Sequence, residues 1–109
     1  MAAPAIPAKK VARDPVAVDA KHYKVEFEND KVRVLRIKYG PHEKSPMHSH
    51  PPLVAVFLTP HHSRHVFSDG EVKEIRGKAG EVMYMDRTEH EPENAGDAPF
   101  ELIGIELKS

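Results

Sequence analysis

The chain has no cysteine and no tryptophan among its 109 residues. The lack of thiols excludes disulfide bonds, thiolate catalysis, and zinc or iron–sulfur sites built on cysteine ligands. An excess of one charge is also lacking, because 16 Lys and Arg stand against 17 Asp and Glu, for a formal net charge of −1. A protein that neutralises phosphates needs a basic surplus, so we expect no nucleic-acid partner.

Long apolar runs are missing as well. The longest, residues 53–58, is far shorter than the roughly 20 residues of a membrane-spanning helix, so we expect no membrane partner. Residues 1–20 are rich in Pro and Ala and lack the apolar stretch of a secretory signal. We expect a cytoplasmic location, with the periplasm as the alternative if a signal peptide has been removed.

Strand-like segments dominate the rest of the sequence, and helical periodicity is weak after residue 20. Residues 23–27 alternate apolar and polar side chains, and Asn29-Asp30 and Asp69-Gly70 are typical hairpin turns. A shift of the apolar phase at Leu35 predicts a bulge nearby. The pattern predicts a single all-β domain, an antiparallel β-barrel or jelly roll over residues 23–109.

The first 22 residues are predicted to form an extended Pro/Ala-rich arm that precedes the barrel. A small barrel has a large surface relative to its core, and such an arm can cross a neighbouring subunit. We therefore expect a homodimer, with the arm or residues 100–107 contributing to the contact. A loose terminus is the alternative.

Two histidines one residue apart, His48 and His50, are the clearest chemical signal. On an extended segment they point to the same side, because strand side chains alternate with period two. A third imidazole beside them would complete a three-nitrogen face. Such a face holds a divalent transition metal and leaves positions open for a small-molecule ligand.

Residues 24–107 resemble the cupin superfamily. The first cupin motif is a Gly, a loop and His-x-His, and it is matched here by Gly40, His48 and His50. The second motif is a Gly, a strand, a His and then an Asn, and it is matched by Gly80, His90 and Asn94. The resemblance implies a cupin-like barrel in which His48, His50 and His90 are the metal ligands.

One departure from the family pattern concerns the fourth ligand. The family's Glu follows the His-x-His pair by a few residues, where this chain has Val54 and Ala55. Three neutral imidazoles leave a divalent ion with its full charge, which favours an anionic chelating ligand. Glu89, Glu91 and Glu93 have the wrong parity relative to His90 to replace the missing carboxylate.

Cupins with three histidine ligands are known as iron-dependent dioxygenases of β-diketones or thiols. The resemblance therefore implies a small non-haem Fe(II) oxygenase that acts on an anionic bidentate small molecule. Zinc, nickel, copper and manganese are the other candidate metals. The alternative is a non-catalytic cupin module that binds a metal or a small molecule.

Several further side chains are candidates for the substrate pocket: Met47, Val54, Tyr84 and Asn94. Capping of the turn at residues 95–97 is the alternative role of Asn94. A second histidine cluster is predicted to be a solvated hairpin end, with a metal site as the alternative, and comprises His61, His62 and His65. The isolated residues His22 and His42 are predicted to lie on the surface, as are Arg64 and Arg87, whose alternative role is to anchor an anion.

Overall fold

The computed structural model describes residues 13–108. These residues form one short helix and nine β-strands. In chain order the elements are α1 (Pro15–Val18), β1 (Tyr23–Glu28), β2 (Val32–Tyr39), β3 (His48–His50), β4 (Leu53–Phe57), β5 (His61–Phe67), β6 (Val72–Gly77), β7 (Val82–Met85), β8 (Thr88–Asn94) and β9 (Phe100–Leu107).

The strands form two sheets that enclose one core. One sheet has the order β1-β2-β9-β4-β7 and the other β3-β8-β5-β6. All of the strand pairings within them are antiparallel. The single-domain antiparallel barrel predicted from the sequence is confirmed.

The hairpins form where the turn chemistry predicts them. The side-chain Oδ1 of Asn29 accepts hydrogen bonds from the N–H groups of Lys31 and Val32, which closes the turn between β1 and β2. In the turn between β5 and β6, Gly70 has a φ of 91°, a conformation that glycine adopts without strain. The register between β1 and β2 shifts between Val25 and Phe27, so the irregularity predicted at the Leu35 phase shift lies in the partner strand.

The core consists of side chains at alternate positions of the five-stranded sheet, as period two requires. Its buried apolar members are Tyr23, Leu35, Ile37, Tyr39, Leu53, Ala55, Phe57, Phe100 and Leu102. Full burial of each large side chain stabilises the fold by about 1.5–3 kcal/mol. The opposite face of this sheet carries the intervening residues, which are half-buried or exposed.

Residues 13–22 differ from the extended arm that the sequence predicts, whereas residues 1–12 of that arm lie outside the described part of the chain. Asp14 caps α1 by accepting a hydrogen bond from the N–H of Val16. The same carboxylate accepts two hydrogen bonds of 2.9 Å from the Arg33 guanidinium on β2. The segment is therefore fastened to the barrel, because its polar groups find partners there.

Within residues 13–108, no helix has the length and apolar character needed to cross a membrane.

Candidate metal centre

Three buried histidines converge on the inward faces of β3 and β8. His48 and His90 are directly opposite each other in the antiparallel pair of β3 and β8, and His50 follows His48 by two residues on the same face. One nitrogen from each ring lies within 4.8 Å of the other two. The strand register thus brings His90 to the pair His48 and His50, as the motif match implies.

Each ring is fixed by the nitrogen that points away from the convergence point. His48 Nδ1 lies 2.9 Å from the Pro46 carbonyl oxygen and His50 Nδ1 lies 2.7 Å from Glu106 Oε2. His90 Nδ1 lies 2.9 Å from His65 Nδ1. These contacts leave Nε2 of every ring for a metal ion, with the tautomer set by the outer partner.

The free nitrogens fit a divalent transition metal ion. Among residues 13–108, Nε2 of His48 and Nε2 of His90 are buried and have no hydrogen-bond partner. A buried polar atom without a partner is unfavourable, and a metal ion would supply one to both. Three imidazoles are also a donor set that suits such an ion.

The burial of His48 and His90 keeps these two rings neutral. Burial lowers the pKa of His48 to about 3, and the neighbouring His50 adds to this effect. Burial, together with nearby histidines, also lowers the pKa of His90 well below its usual value. Both rings are therefore unprotonated near neutral pH, which metal coordination requires.

A buried carboxylate that the sequence reasoning missed supports His50. Glu106 is 3% exposed, and its second oxygen accepts a 2.9 Å hydrogen bond from Arg33 Nε. On β9 it shares parity with Leu102 and Gly104, which face the interior. A charged residue on the apolar face of a strand is the signal that would have found it.

Apolar side chains form one wall beside the histidines. Ala55 is 1% exposed and lines a cavity of about 50 Å³ that also reaches His50 and His90. Most other lining side chains are apolar or aromatic, among them Leu53 and Phe57. A ligand bound in this cavity would meet few competing polar groups beyond the histidines and Ser63.

The four predicted pocket residues do not line this cavity. Val54 and Tyr84 are outward-facing partners on β4 and β7. The inward positions belong to Leu53, Ala55 and Phe57 on β4 and to Met83 and Met85 on β7. Met47 lies half-buried just before β3. These residues therefore lie outside the cavity that His50 and His90 line, because strand alternation alone does not show which face of a strand is inward.

Asn94 ties loops together inside the protein. Its Nδ2 donates to the carbonyl oxygens of Gly40 and Ala98, at 3.1 and 2.8 Å, and its Oδ1 accepts from the N–H of Gly96. A longer contact of 3.4 Å reaches the Tyr39 carbonyl. Asn94 therefore has the turn-capping role that was its alternative prediction. The hydrogen bonds of its side-chain amide are made to these loops and not toward the cavity.

The second histidine cluster is buried, which corrects the prediction of a solvated hairpin end. His61 and His65 are 8% and 7% exposed, because they occupy inward positions of β5, whereas His62 faces outward. His22, predicted on the surface, is 6% exposed and lies between the carboxylates of Asp19 and Glu43. Each of these buried rings has a hydrogen-bond partner inside the fold, which offsets the cost of removing it from water.

The acidic residues of β8 face outward, in agreement with their predicted parity. Glu89 Oε2 accepts a 3.3 Å hydrogen bond from Ser49, and Glu93 lies 3.7 Å from the Arg64 guanidinium. Glu91 lies 3.9 Å from Lys44. The three-histidine group of the described residues therefore has no carboxylate among its members.

Structural comparison places the chain among proteins with the cupin fold. A cupin domain from Bordetella pertussis Tohama I is 22% identical with a TM-score of 0.73, and the match covers 80% of this chain and 92% of that one. An RmlC-like cupin family protein with a double-stranded β-helix fold from Methanocaldococcus jannaschii is 18% identical, with a TM-score of 0.62 and coverage of 83% and 84%. A Cupin 2 conserved barrel domain protein from Salinispora arenicola CNS-205 is 18% identical, with a TM-score of 0.61 and coverage of 84% and 80%.

No family model matches the chain, and no curated protein sequence is similar to it. Likeness at these identities shows the fold alone. The chain thus has the cupin fold, a double-stranded β-helix. Within residues 13–108 it contains a three-histidine group that could hold a metal ion.

Proposed function

We propose that the protein is a metal-binding cupin that holds one divalent transition metal ion on His48, His50 and His90. The observation that carries the proposal is the pair of buried Nε2 atoms, on His48 and His90, that have no partner within the described residues. The outer nitrogens of all three rings are already occupied by fixed partners. The rings are thereby oriented for coordination before a metal ion arrives.

We further propose that the bound ion is Fe(II) and that the protein is a non-haem oxygenase. Iron would supply the chemistry that activates an anionic bidentate small molecule and dioxygen together. The protein would contribute a free coordination position and a cavity wall that excludes water. Ala55 leaves free the coordination position that a family Glu would take, and the apolar side chains around it exclude water, which strengthens attraction between an anion and the ion.

The position of the Glu106 carboxylate, behind His50, supports the same proposal. Its carboxylate is shared between His50 and Arg33, so it orients the imidazole without entering the coordination shell. Arg33 offsets part of the charge of Glu106, since its guanidinium is shared with Asp14. Because no carboxylate coordinates the ion directly, much of its positive charge would remain for the substrate to balance. An enolate, a carboxylate with a neighbouring oxygen, or a thiolate would meet that requirement.

The test has two stages. Elemental analysis of protein purified from its native cells should give about one transition metal ion per chain. The His90→Ala variant should lose that metal and the His42→Ala variant, altered at an exposed histidine, should keep it. A wild-type protein without bound metal, or an unchanged metal content in His90→Ala, would refute the metal site.

Oxygen uptake then distinguishes the two functions. Protein loaded with Fe(II) would be assayed against a panel of β-diketones, thiols and phenols, with the His90→Ala variant as the blank. Consumption of oxygen that depends on one of these substrates supports the oxygenase. If the protein holds the metal ion tightly but consumes no oxygen with any of these substrates, the oxygenase proposal is rejected. The metal-binding module is then the function that remains.

We also propose a homodimer, formed through the outer face of the five-stranded sheet. One apolar row crosses all five strands in register and comprises Phe27, Val34, Ile105, Val54 and Tyr84. Phe27 and Tyr84 are 53% and 58% exposed in the monomer. A contiguous apolar patch of this kind is typical of an interface, and a second copy presents the same patch in return.

A further inference from the structure

A line of hydrogen bonds runs from His90 into the interior along β5. His90 Nδ1 lies 2.9 Å from His65 Nδ1, and His65 Nε2 lies 2.9 Å from Ser63 Oγ. The same hydroxyl lies 2.8 Å from His61 Nε2. The three β5 residues alternate along the strand, so they share its inward face.

The direction of this line depends on the state of His90. A neutral His90 that gives its Nε2 to a metal ion carries its proton on Nδ1, which then donates to His65. His65 must in turn donate from Nε2 to Ser63 Oγ. Among the side-chain contacts of the described residues, His61 Nε2 is the acceptor that remains for the buried Ser63 hydroxyl proton, so the hydroxyl donates there. A neutral His61 therefore carries its own proton on Nδ1.

That last nitrogen has no partner among the described residues. The His61 ring is 8% exposed and is held between Phe57, stacked with centroids 4.3 Å apart, and Phe100, with centroids 4.2 Å apart. A half-turn of the ring would keep its plane between the two phenyl rings but would lose the hydrogen bond to Ser63. A buried donor without an acceptor is unfavourable, so the position suits an acceptor from outside the chain.

His61 lines the same cavity as the metal ligands His50 and His90. We propose that His61 is a second ligand-binding residue, whose Nδ1–H donates a hydrogen bond to an acceptor oxygen of the small molecule that occupies this cavity. The ligand would chelate the metal ion through two oxygens and carry a further acceptor oxygen. This inference rests on the metal-binding part of the proposed function, because the metal fixes the tautomer of His90.

The tautomer is read directly from wild-type protein loaded with Zn²⁺, a diamagnetic probe. Long-range ¹H–¹⁵N correlation spectra of the histidine rings should show the proton of His61 on Nδ1 and that of His65 on Nε2. A proton on Nε2 of His61 would overturn the proposal. This measurement needs no variant, so it stands even if substitutions at His61 disturb folding.

Selectivity is measured with two matched chelators, heptane-2,4,6-trione and heptane-2,4-dione, which differ by the distal carbonyl oxygen. Zn²⁺-loaded wild type should bind the trione about tenfold more tightly than the dione, the effect of about one net hydrogen bond. His61→Phe, which keeps an aromatic ring between Phe57 and Phe100, should lose that preference while its affinity for Zn²⁺ alone stays unchanged. His62→Phe, at the neighbouring outward position, should keep the preference.

The two proposals fail in different ways. If the wild type does not bind Zn²⁺, the proposed metal site is wrong and the role of His61 falls with it. If Zn²⁺ binds and the trione preference is absent, or is the same in wild type and His61→Phe, only the role of His61 is overturned.

Discussion

Glu106 lies directly behind His50, with its Oε2 2.7 Å from His50 Nδ1, although the two residues are 56 positions apart in the chain. The carboxylate fixes the tautomer of the ring and raises its strength as a ligand. Because both side chains are nearly fully buried, solvent weakens this contact little.

Removing the charge of Glu106 should therefore weaken metal binding. Glu106→Gln should raise the dissociation constant for Zn²⁺ by about 10–100-fold, the usual effect of losing such a partner. Competition with a chromophoric chelator measures this constant. Glu101→Gln, on the outward face of the same strand, is the matched control and should change it little; equal effects in both variants would contradict the role of Glu106.

A carboxylate at Ala55 should restore the missing fourth ligand. Ala55→Glu should tighten metal binding and weaken the binding of acetylacetone, because the new side chain takes the coordination position and balances the charge. Val54→Glu, on the opposite face of β4, should shift neither affinity. Both affinities would be measured by calorimetry on variants shown by circular dichroism to be folded. Folded Ala55→Glu with unchanged affinities would reject the charge-balance argument.

The stability of the metal-free protein should fall in mild acid. Burial, with help from the neighbouring His62, lowers the pKa of His61 from 6.5 to about 4. Between these values the unfolded chain binds a proton that folded His61 does not, so the free energy of unfolding decreases as pH falls. His61→Phe should reduce this slope by up to about 1.4 kcal/mol per pH unit. Urea titrations from pH 7 to pH 4 measure the free energy of unfolding. If it falls with pH by the same amount in wild type and His61→Phe, the assignment of this pH dependence to His61 is contradicted.

The role of Asn94 should be one of stability. Asn94→Ala removes the hydrogen bonds to Gly40, Ala98 and Gly96 from a side chain that is 1% exposed. We expect a loss of about 2–4 kcal/mol in the free energy of unfolding, with metal content unchanged at low temperature. Asn29→Ala, at an exposed turn, should cost about 1 kcal/mol or less. Loss of metal from folded Asn94→Ala would instead indicate a role at the site.

The proposed dimer should dissociate when its apolar row is charged. Tyr84→Glu places a carboxylate on the exposed face of β7, where burial against a second copy would be costly. Sedimentation of the wild type should show a dimer at micromolar concentration and the variant a monomer of about 12.2 kDa. Arg76→Glu, at an exposed position of β6 in the other sheet, is the control. A wild-type monomer would refute the dimer.

Strand periodicity explains why much of the architecture could be predicted from the sequence. Alternation in residues 23–27 and the turns at Asn29 and Gly70 are local features, and local sterics decide them. The common direction of His48 and His50 has the same origin, because period two holds for any extended segment. The position of His90 came from a motif resemblance, and the register of β3 with β8 agrees with it.

Only the tertiary structure decided which face of each strand is inside and which distant residue lies behind each ring. Period two separates Val54 from Ala55 and His61 from His62, but it does not say which member faces the core. Glu106 reaches His50 through the packing of β9 against β4, a pairing between strands far apart in sequence. His61 and His65, which were expected at a solvated hairpin end, are buried and form a line of hydrogen bonds through Ser63. Polar groups excluded from water find their partners in the protein.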